Sequence, residues 1–369
     1  MKLIIAGGGT GGHLFPGIAV AEEFLSRDPK NEVLFVGTEK GIEARAVPAA
    51  GYRLELISAA GIRGKGTLAQ LKGAAMMIYG YAQSRKILKN FKPDLVLGVG
   101  GYASLPMLMA ARGMLTPRFI HEQNAIPGKT NRLLANFADQ VFITLEESAV
   151  YFPKDKTLLT GNPLRKQILD LIQNPPHPPF HKGGGEAKRA GGFHLFIFGG
   201  SQGAHAINSA MVAALPLLKD SGIKITITHQ TGEKDCAEIT EAYRQAAVEA
   251  NVVSFINDMA SEYAAANLII CRAGATTIAE VTACGKACLF IPFPHAVDDH
   301  QRKNAEALLK KDACHLLLEQ ELSGQKLAEI ITESAINPDA VSQMGKRAFA
   351  MARLDAAKII VDQMVTKPS

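Results

Sequence analysis

Twice along this chain a short apolar run ends in a cluster of glycines and gives way at once to a helical pattern. The first case is Leu3-Ile4-Ile5-Ala6 followed by Gly7-Gly8-Gly9-Thr10-Gly11-Gly12-His13. The second is His194-Leu195-Phe196-Ile197-Phe198 followed by Gly199-Gly200-Ser201-Gln202-Gly203-Ala204. Glycine lets the backbone turn tightly and approach a ligand, while the helix behind it presents N–H groups and a partial positive charge to phosphate oxygens. A tight strand-to-helix turn with no ligand explains either cluster equally well when it is taken alone.

Around these turns, apolar runs alternate with helical stretches: Val33–Val36, Asp94–Leu97, Phe119-Ile120 and Val141–Ile143 before, then Ile223–Ile227, Val252–Phe255, Leu268–Cys271 and Cys288–Ile291. This is the pattern of βα units and a parallel sheet. Between the two series, Asn174 to Gly192 is rich in Pro, His, Gly and Lys and poor in apolar residues, which reads as a linker. With 369 residues the chain can bury two cores. The expected fold is α/β, two Rossmann-like, doubly wound parallel-sheet domains facing a cleft, with ligands at the carboxyl ends of the strands.

Composition narrows the class. Apolar residues are 47% and charged ones 20%, as in ordinary folded proteins. No apolar run reaches the roughly 20 residues that span a bilayer, and Met1-Lys2 leads into a strand rather than a signal-peptide core, so a cytoplasmic location is expected. Five cysteines, an odd number all in the second half and without a C-x-x-C pair, suggest neither a disulfide framework nor a zinc site. The net charge of +5 is unevenly spread: between Glu55 and Asp94 there is no acid, while Arg63, Lys65, Lys72, Arg85, Lys86, Lys89 and Lys92 all fall in that window. Such a one-sign field points to an anionic partner, and nucleic acid is not the partner expected. In the same window Leu68, Leu71, Ala75, Ile78 and Ala82 are spaced along one helical face, near Met76, Met77, Tyr79 and Tyr81. The helix either packs on the core with a solvated basic rim or lies on an anionic bilayer.

Three motifs separate the rival chemistries. Gly7, Gly9 and Gly12 satisfy G-x-G-x-x-G, yet the acid after the second strand, Glu39, comes late for the ribose of a dinucleotide. Gly128-Lys129-Thr130 mimics the end of a P-loop, but Gln123 stands where its first glycine belongs. No D-x-D triplet occurs, only the adjacent Asp298-Asp299, so a carboxylate-held metal is not expected and no cofactor is implied.

In order and spacing, seven segments resemble one family. They are Gly8 to His13, Gly100-Gly101-Tyr102-Ala103-Ser104, His121-Glu122-Gln123-Asn124, Gly161-Asn162-Pro163-Leu164-Arg165, Gly199 to Ala204, Cys271 to Glu280, and Pro292-Phe293-Pro294 to Asn304. The family is that of the peptidoglycan-building N-acetylglucosaminyltransferases, glycosyltransferase family 28. The resemblance covers nearly the whole chain; the long Pro/His/Gly-rich linker departs from it without removing a motif residue. It implies a GT-B fold with residues 1–162 as an acceptor and membrane-associating domain, 163–192 as a linker, 193–350 as a donor domain, and 351–369 as a helix packing back on the first domain. It implies an inverting transfer of N-acetylglucosamine from its UDP carrier to the muramyl sugar of an undecaprenyl-diphosphate-linked pentapeptide, lipid I to lipid II. The site would lie at the cytoplasmic face of the bacterial plasma membrane, and the product would serve cell-wall synthesis.

By the same resemblance, Thr10, Gly11, Gly12, Asn124, Arg165, Ser201, Ile256, Ala275, Thr276, Thr277, Ile278, Ala279, Glu280 and Gln301 bind the donor. Glu280, taken as lying just inside a helix begun by Ala275-Thr276-Thr277, would accept the ribose hydroxyls; without the family, an acid in a first helical turn is as readily a dipole partner. Displacement at the anomeric carbon needs a proton acceptor and a stabilised leaving diphosphate. His13 is the leading acceptor, since it ends the first glycine turn and imidazoles titrate near neutrality; a hydrogen-bonding or phosphate-contacting role stands beside that one. Glu122 is held in reserve, its alternative being to orient the neighbouring loop. Arg63, Lys65, Lys72, Ile78, Tyr81, Arg85, Lys86 and Lys89 would meet the membrane and the lipid-borne acceptor. The rivals are another GT-B enzyme, either a glycerolipid glycosyltransferase or a UDP-sugar epimerase, and a non-catalytic sugar-nucleotide sensor.

Overall fold

A computed structural model describes residues 1–59, 67–174, 192–200 and 202–366, with backbone alone at 67–72 and 74. The chain divides into two units, Met1–Arg165 with Arg353–Ser369, and Lys166–Ala352.

In the first unit the strands are β1 (Lys2–Gly7), β2 (Glu32–Gly37), β3 (Arg53–Leu56), β4 (Leu95–Gly100), β5 (Arg118–Glu122), β6 (Gln140–Ile143) and β7 (Thr157–Leu159). They form one parallel sheet in the order β3-β2-β1-β4-β5-β6-β7. The helices between them are α1 (Gly11–Arg27), α2 (Glu43–Ala49), α3 (Thr67–Phe91), α4 (Ser104–Gly113) and α5 (Lys129–Ala135). A strand covered on both faces has no wet side, which is why β1, β2 and β4 read as unbroken apolar runs. Alternation within β1 still divides the core: Leu3 and Ile5 pack with Leu14, Val20 and Phe24 of α1, and Ile4 and Ala6 with Leu88 of α3 and Met107 of α4. The chain fills the sheet outward from β1 through β3, then returns beside β1 as β4. This reversal creates a switch point between β1 and β4, where a doubly wound sheet opens a crevice at its carboxyl end.

The second unit repeats the plan. Its strands are β8 (Phe193–Phe198), β9 (Ile225–Gln230), β10 (Ala250–Val253), β11 (Leu268–Cys271), β12 (Ala287–Phe290) and β13 (His315–Leu316). They run parallel in the order β10-β9-β8-β11-β12-β13, with the switch point between β8 and β11. Its helices are α6 (Lys166–Gln173), α7 (His205–Asp220), α8 (Cys236–Ala246), α9 (Met259–Ala265), α10 (Ala275–Ala283), α11 (His300–Leu309), α12 (Gly324–Ile336) and α13 (Pro338–Ala350). Leu195 and Ile197 of β8 pack with Met211 and Leu215 of α7 and Leu327 and Ile331 of α12. The chain then re-enters the first unit as α14 (Ala356–Thr366), where Ile360, Val361 and Met364 join the core beneath α1.

The α/β expectation holds in both units, with local differences. Val252–Phe255 was expected as a strand, but β10 covers Ala250–Val253 because the chain leaves the sheet at Ser254. Within 163–192, Lys166–Gln173 forms α6 with Ile168 buried, and 175–191 lie outside the described residues. Cys271, Cys288 and Cys314 are buried, Cys236 and Cys284 half-buried, and all five are free thiols.

Candidate active site

At the switch point of the first unit, the turn after β1 and the turn after β4 touch through their backbones. Gly8 N–H donates to Gly100 O at 3.2 Å. Gly101 has φ +81°, and a Cβ there would strike Gly8 O, so this contact admits no side chain. Buried Ser104, the first residue of α4, accepts from Gly100 N–H at 3.1 Å, and its hydroxyl lies 2.8 Å from Ala6 O. The two turns form one rigid floor.

A second tie comes from Glu43, the first residue of α2 and only 1% exposed. Its carboxylate accepts Gly9 N–H at 2.7 Å, Thr38 N–H at 2.9 Å and the Thr38 hydroxyl at 3.0 Å. Sequence reasoning passed over Glu43 and weighed Glu39, which is exposed. The neighbouring Gly37 and Gly41 leave this side chain its room: a Cβ at Gly37 would strike the Glu43 Cγ and one at Gly41 its carboxylate. This buried carboxylate commits the Gly9 N–H, so the first turn is no simple phosphate cradle. Beyond it Thr10 is exposed, and Gly11, Gly12 and His13 are half-buried in the opening turn of α1, which contains no acid.

His13 is tied to the end of β5. Its Nδ1 lies 2.8 Å from Gln123 Oε1. Buried Gln123 donates from Nε2 to Val99 O at 3.0 Å and sits 3.0 Å from His121 Nδ1, and His121 Nε2 in turn lies 3.2 Å from Gly161 O. Complete burial pushes the His121 imidazole down to about 4, so it is neutral near pH 7. Gln123 is another residue the sequence did not single out as functional, because its partners His13 and Val99 lie far away in the chain.

Glu122 shares the strand end but faces the loop that follows. Oε1 accepts from the backbone N–H of Asn124 at 3.0 Å and its side-chain amide at 3.3 Å, while Oε2 accepts from Gly128 N–H at 3.1 Å and Asn131 Nδ2 at 2.9 Å. A carboxylate has about four lone-pair sites, and here four donors occupy them. That is the geometry of a residue that orients the loop. Asn124 is half-buried, and Arg165 stacks its guanidinium 5.4 Å from the Phe15 ring of α1.

On the same unit, α3 turns one side inward through Gly80, Ser84, Leu88 and Phe91. The opposite side exposes Ala75, Ala82, Ile78 at 72% and Tyr79 at 60%, next to exposed Arg85, Lys86 and Lys89. The face marked by Ala75, Ile78 and Ala82 is therefore turned outward rather than into the core. Tyr81, expected with the acceptor and membrane residues, is half-buried and packs against the core that includes α4. Arg63 and Lys65 lie outside the described residues, and Lys72 is described by its backbone only. Among the described residues, no helix is long and apolar enough to cross a membrane.

In the second unit, Ser201 lies outside the described residues. Gly203 has φ +75° and presses against Thr231 O, seating the glycine turn on the loop after β9. At the other side of the switch point, β11 leads through Arg272-Ala273-Gly274 into α10. Arg272 donates to Ile291 O at 3.0 Å and Pro292 O at 3.1 Å and is ion-paired with Glu319, so it holds the loop after β12. Helix α10 opens with Ala275 buried and Thr276 and Thr277 half-buried, and its first turn contains no acid. Its N-terminal N–H groups and dipole suit a diphosphate. Ile278 is buried and Ala279 half-buried.

Glu280 corrects the reading of it as a first-turn acid. It falls in the second turn, is 2% exposed, and its Oε2 accepts from the Tyr263 hydroxyl at 3.0 Å. It is therefore not an N-terminal dipole partner. Tyr263 is fully buried, its ring edge-on to Phe196 and Phe198. Gln301 on α11 is half-buried, and its Oε1 accepts Phe293 N–H at 2.9 Å, which aims the amide NH2 elsewhere. Ile256 is half-buried in the loop after β10.

The profile of the glycosyltransferase family 28 N-terminal domain matches residues 3–143, and that of the family 28 C-terminal domain matches 194–360. The chain belongs to glycosyltransferase family 28. A family member from Trichlorobacter lovleyi is 68% identical, with 99% of this chain and 98% of the relative covered. Its name is UDP-N-acetylglucosamine--N-acetylmuramyl-(pentapeptide) pyrophosphoryl-undecaprenol N-acetylglucosamine transferase. A relative of the same name from Geobacter sulfurreducens is 64% identical over 99% of this chain and 98% of its own length. Among solved structures, MurG of Acinetobacter baumannii superposes with a TM-score of 0.79 at 29% identity, covering 99% of both chains. The UDP-GlcNAc 2-epimerase of Neisseria meningitidis, solved with UDP-GlcNAc, gives a TM-score of 0.69 at 15% identity over the full length of both chains, a likeness of fold.

Proposed function

We propose that this family 28 glycosyltransferase moves N-acetylglucosamine from UDP-N-acetylglucosamine to the muramyl sugar of undecaprenyl-diphosphate-linked muramyl-pentapeptide, turning lipid I into lipid II. The observation that carries this reading is 68% identity, sustained over 99% of the chain, to a relative named for that reaction. The geometry of each unit agrees with it.

The donor belongs to the second unit. The start of α10 receives the diphosphate, Glu280 the ribose, and the backbone near Ile256 the uracil, while Gln301 offers its amide to the sugar; Ser201, outside the described residues, is a further proposed donor contact. Thr10, Gly11, Gly12, Asn124 and Arg165 are the donor contacts proposed for the first unit. His13 takes the proton of the attacking muramyl hydroxyl at Nε2 as the hydroxyl oxygen bonds to the anomeric carbon. The bond from that carbon to the diphosphate breaks and its electron pair leaves on UDP, inverting the centre. Helix dipole and N–H groups stabilise the departing charge without reorganising. Glu122 shapes the loop beside this site.

The exposed Ile78 and Tyr79 beside Arg85, Lys86 and Lys89 support docking of α3 on the anionic cytoplasmic face of the plasma membrane, where the acceptor lies. UDP release measured with and without a polyprenyl-diphosphate muramyl acceptor tests the assignment. Acceptor-dependent release is expected. Turnover of the UDP-sugar without lipid would indicate an epimerase, and no turnover by folded protein would indicate a sensor.

A further inference from the structure

We infer that Gln123 is a positioning residue that holds His13 as its Nδ1–H tautomer and so leaves the Nε2 lone pair to receive the acceptor proton. The inference deepens the reading above and rests on His13 being the proton acceptor.

Two atoms of this network have a fixed role. Val99 O and Gly161 O are backbone carbonyls and can only accept. The amide end of Gln123 that lies 3.0 Å from Val99 O must therefore be the nitrogen. Its second hydrogen faces His121 Nδ1, also 3.0 Å away, with His121 O at 3.3 Å as a weaker second acceptor; a ring nitrogen this close to an amide nitrogen that can only donate must be the acceptor. His121 then carries its proton on Nε2, where Gly161 O at 3.2 Å receives it. Both ends of the chain of bonds agree.

With its nitrogen so committed, Gln123 presents oxygen to His13 Nδ1 at 2.8 Å, and a hydrogen bond there requires the proton on Nδ1. The reversed amide would set oxygen against Val99 O and leave two buried groups without partners, which a buried polar network does not tolerate. Gly100, at φ +96°, closes the other side: a Cβ there would lie 3.0 Å from His13 Nδ1 and 3.1 Å from Cε1. The ring is thus confined between the backbone of Gly100 and the amide of Gln123.

The chemical consequence lies in the neutrality of the partner. A carbonyl oxygen accepts from Nδ1–H both before and after Nε2 gains a proton, and more strongly once the ring is charged, so the bond survives proton transfer. Neutral His121 behind it adds no competing charge. The logic is that of a base held in one tautomer by a third group, with an amide in place of the usual carboxylate.

The test combines a spectroscopic and a kinetic reading on the full chain. Nitrogen NMR of the ring-labelled protein, assigned with His13→Ala and His121→Ala, is expected to show His13 as Nδ1–H and His121 as Nε2–H. Gln123→Met keeps the side-chain length without the amide. In that variant the His13 signal should shift toward a mixture of tautomers, and kcat should fall on the order of tenfold or more, with KM for UDP-N-acetylglucosamine within about twofold. Finding His13 as Nε2–H in the unaltered protein overturns the inference even if the variant does not fold. Unchanged kcat in Gln123→Met, with activity lost in His13→Ala, overturns the positioning role alone. Full activity in His13→Ala instead removes the proton-acceptor reading, and the catalytic role of Gln123 with it.

Discussion

The Tyr263 hydroxyl donates to Glu280 Oε2 at 3.0 Å inside the second unit, holding one carboxylate oxygen of the residue proposed to take the ribose. Removing that donor alone separates orientation from charge. Tyr263→Phe keeps the ring that packs on Phe196 and Phe198, so the fold should persist while UDP affinity falls by about three- to tenfold, on the order of 1 kcal/mol for the lost orientation of the carboxylate. Glu280→Ala should lower it further. Titration calorimetry with UDP checks both; equal affinity for all three proteins would refute the ribose assignment.

Glu43 predicts a cost in stability. Glu43→Gln retains one oxygen and loses the charge that draws in Gly9 and Thr38, so unfolding of the first unit should become easier by about 1–3 kcal/mol. Urea denaturation followed by circular dichroism measures this; a midpoint like that of the parent chain would show that the tie contributes nothing.

For the membrane face, Lys86→Ala with Lys89→Ala should weaken association with anionic vesicles by about 2 kcal/mol, roughly thirtyfold, and the effect should shrink as salt rises. Ile78→Ser should weaken it without that salt dependence. Both variants should turn over a short, water-soluble acceptor at the parent rate. Equal vesicle binding by parent and variants would remove α3 from the membrane.

Two histidines set an acid limit. Burial holds both His121 and His229 down to about 4 in the folded chain, against about 6.5 when unfolded. Their contribution to stability is complete above about pH 6.5 and is lost as pH falls toward 4, because between those values only the unfolded chain binds the protons. Each should cost roughly 2 kcal/mol by pH 5. Since one lies in each unit, both units should weaken. Urea midpoints at pH 7.5 and 5 decide it, and His229→Gln should flatten the second unit's share of the slope.

The two glycine turns and the central strands were legible in the sequence because their requirements are local. Leu3 to Ala6 and Leu268 to Cys271 must be apolar where both sheet faces are covered, and glycine must follow where backbone meets backbone. Strands β3 and β13 gave no such signal: Arg53–Leu56 runs along a half-exposed edge, and His315-Leu316 is two residues long. Glu43 and Gln123 were missed for a different reason. Each acts on a group 34 or 110 residues away, and spacing along a chain carries no record of such a meeting. The position of Glu280 was misjudged by one helical turn, because burial beside Tyr263 is not visible in the sequence around it. The acid-free window at α3 could be read because charge of one sign is visible without knowing the fold.

The floor made by Gly8, Gly100 and Gly101 also bears on how this enzyme can change. Where two turns meet main chain to main chain, evolution has no side chain to exchange, and a larger residue would pry β1 from β4 before it altered any preference for substrate. An inhibitor that drew its grip from that floor would leave the cell few escape mutations, whereas one leaning on neighbouring side chains could be shed by a single codon.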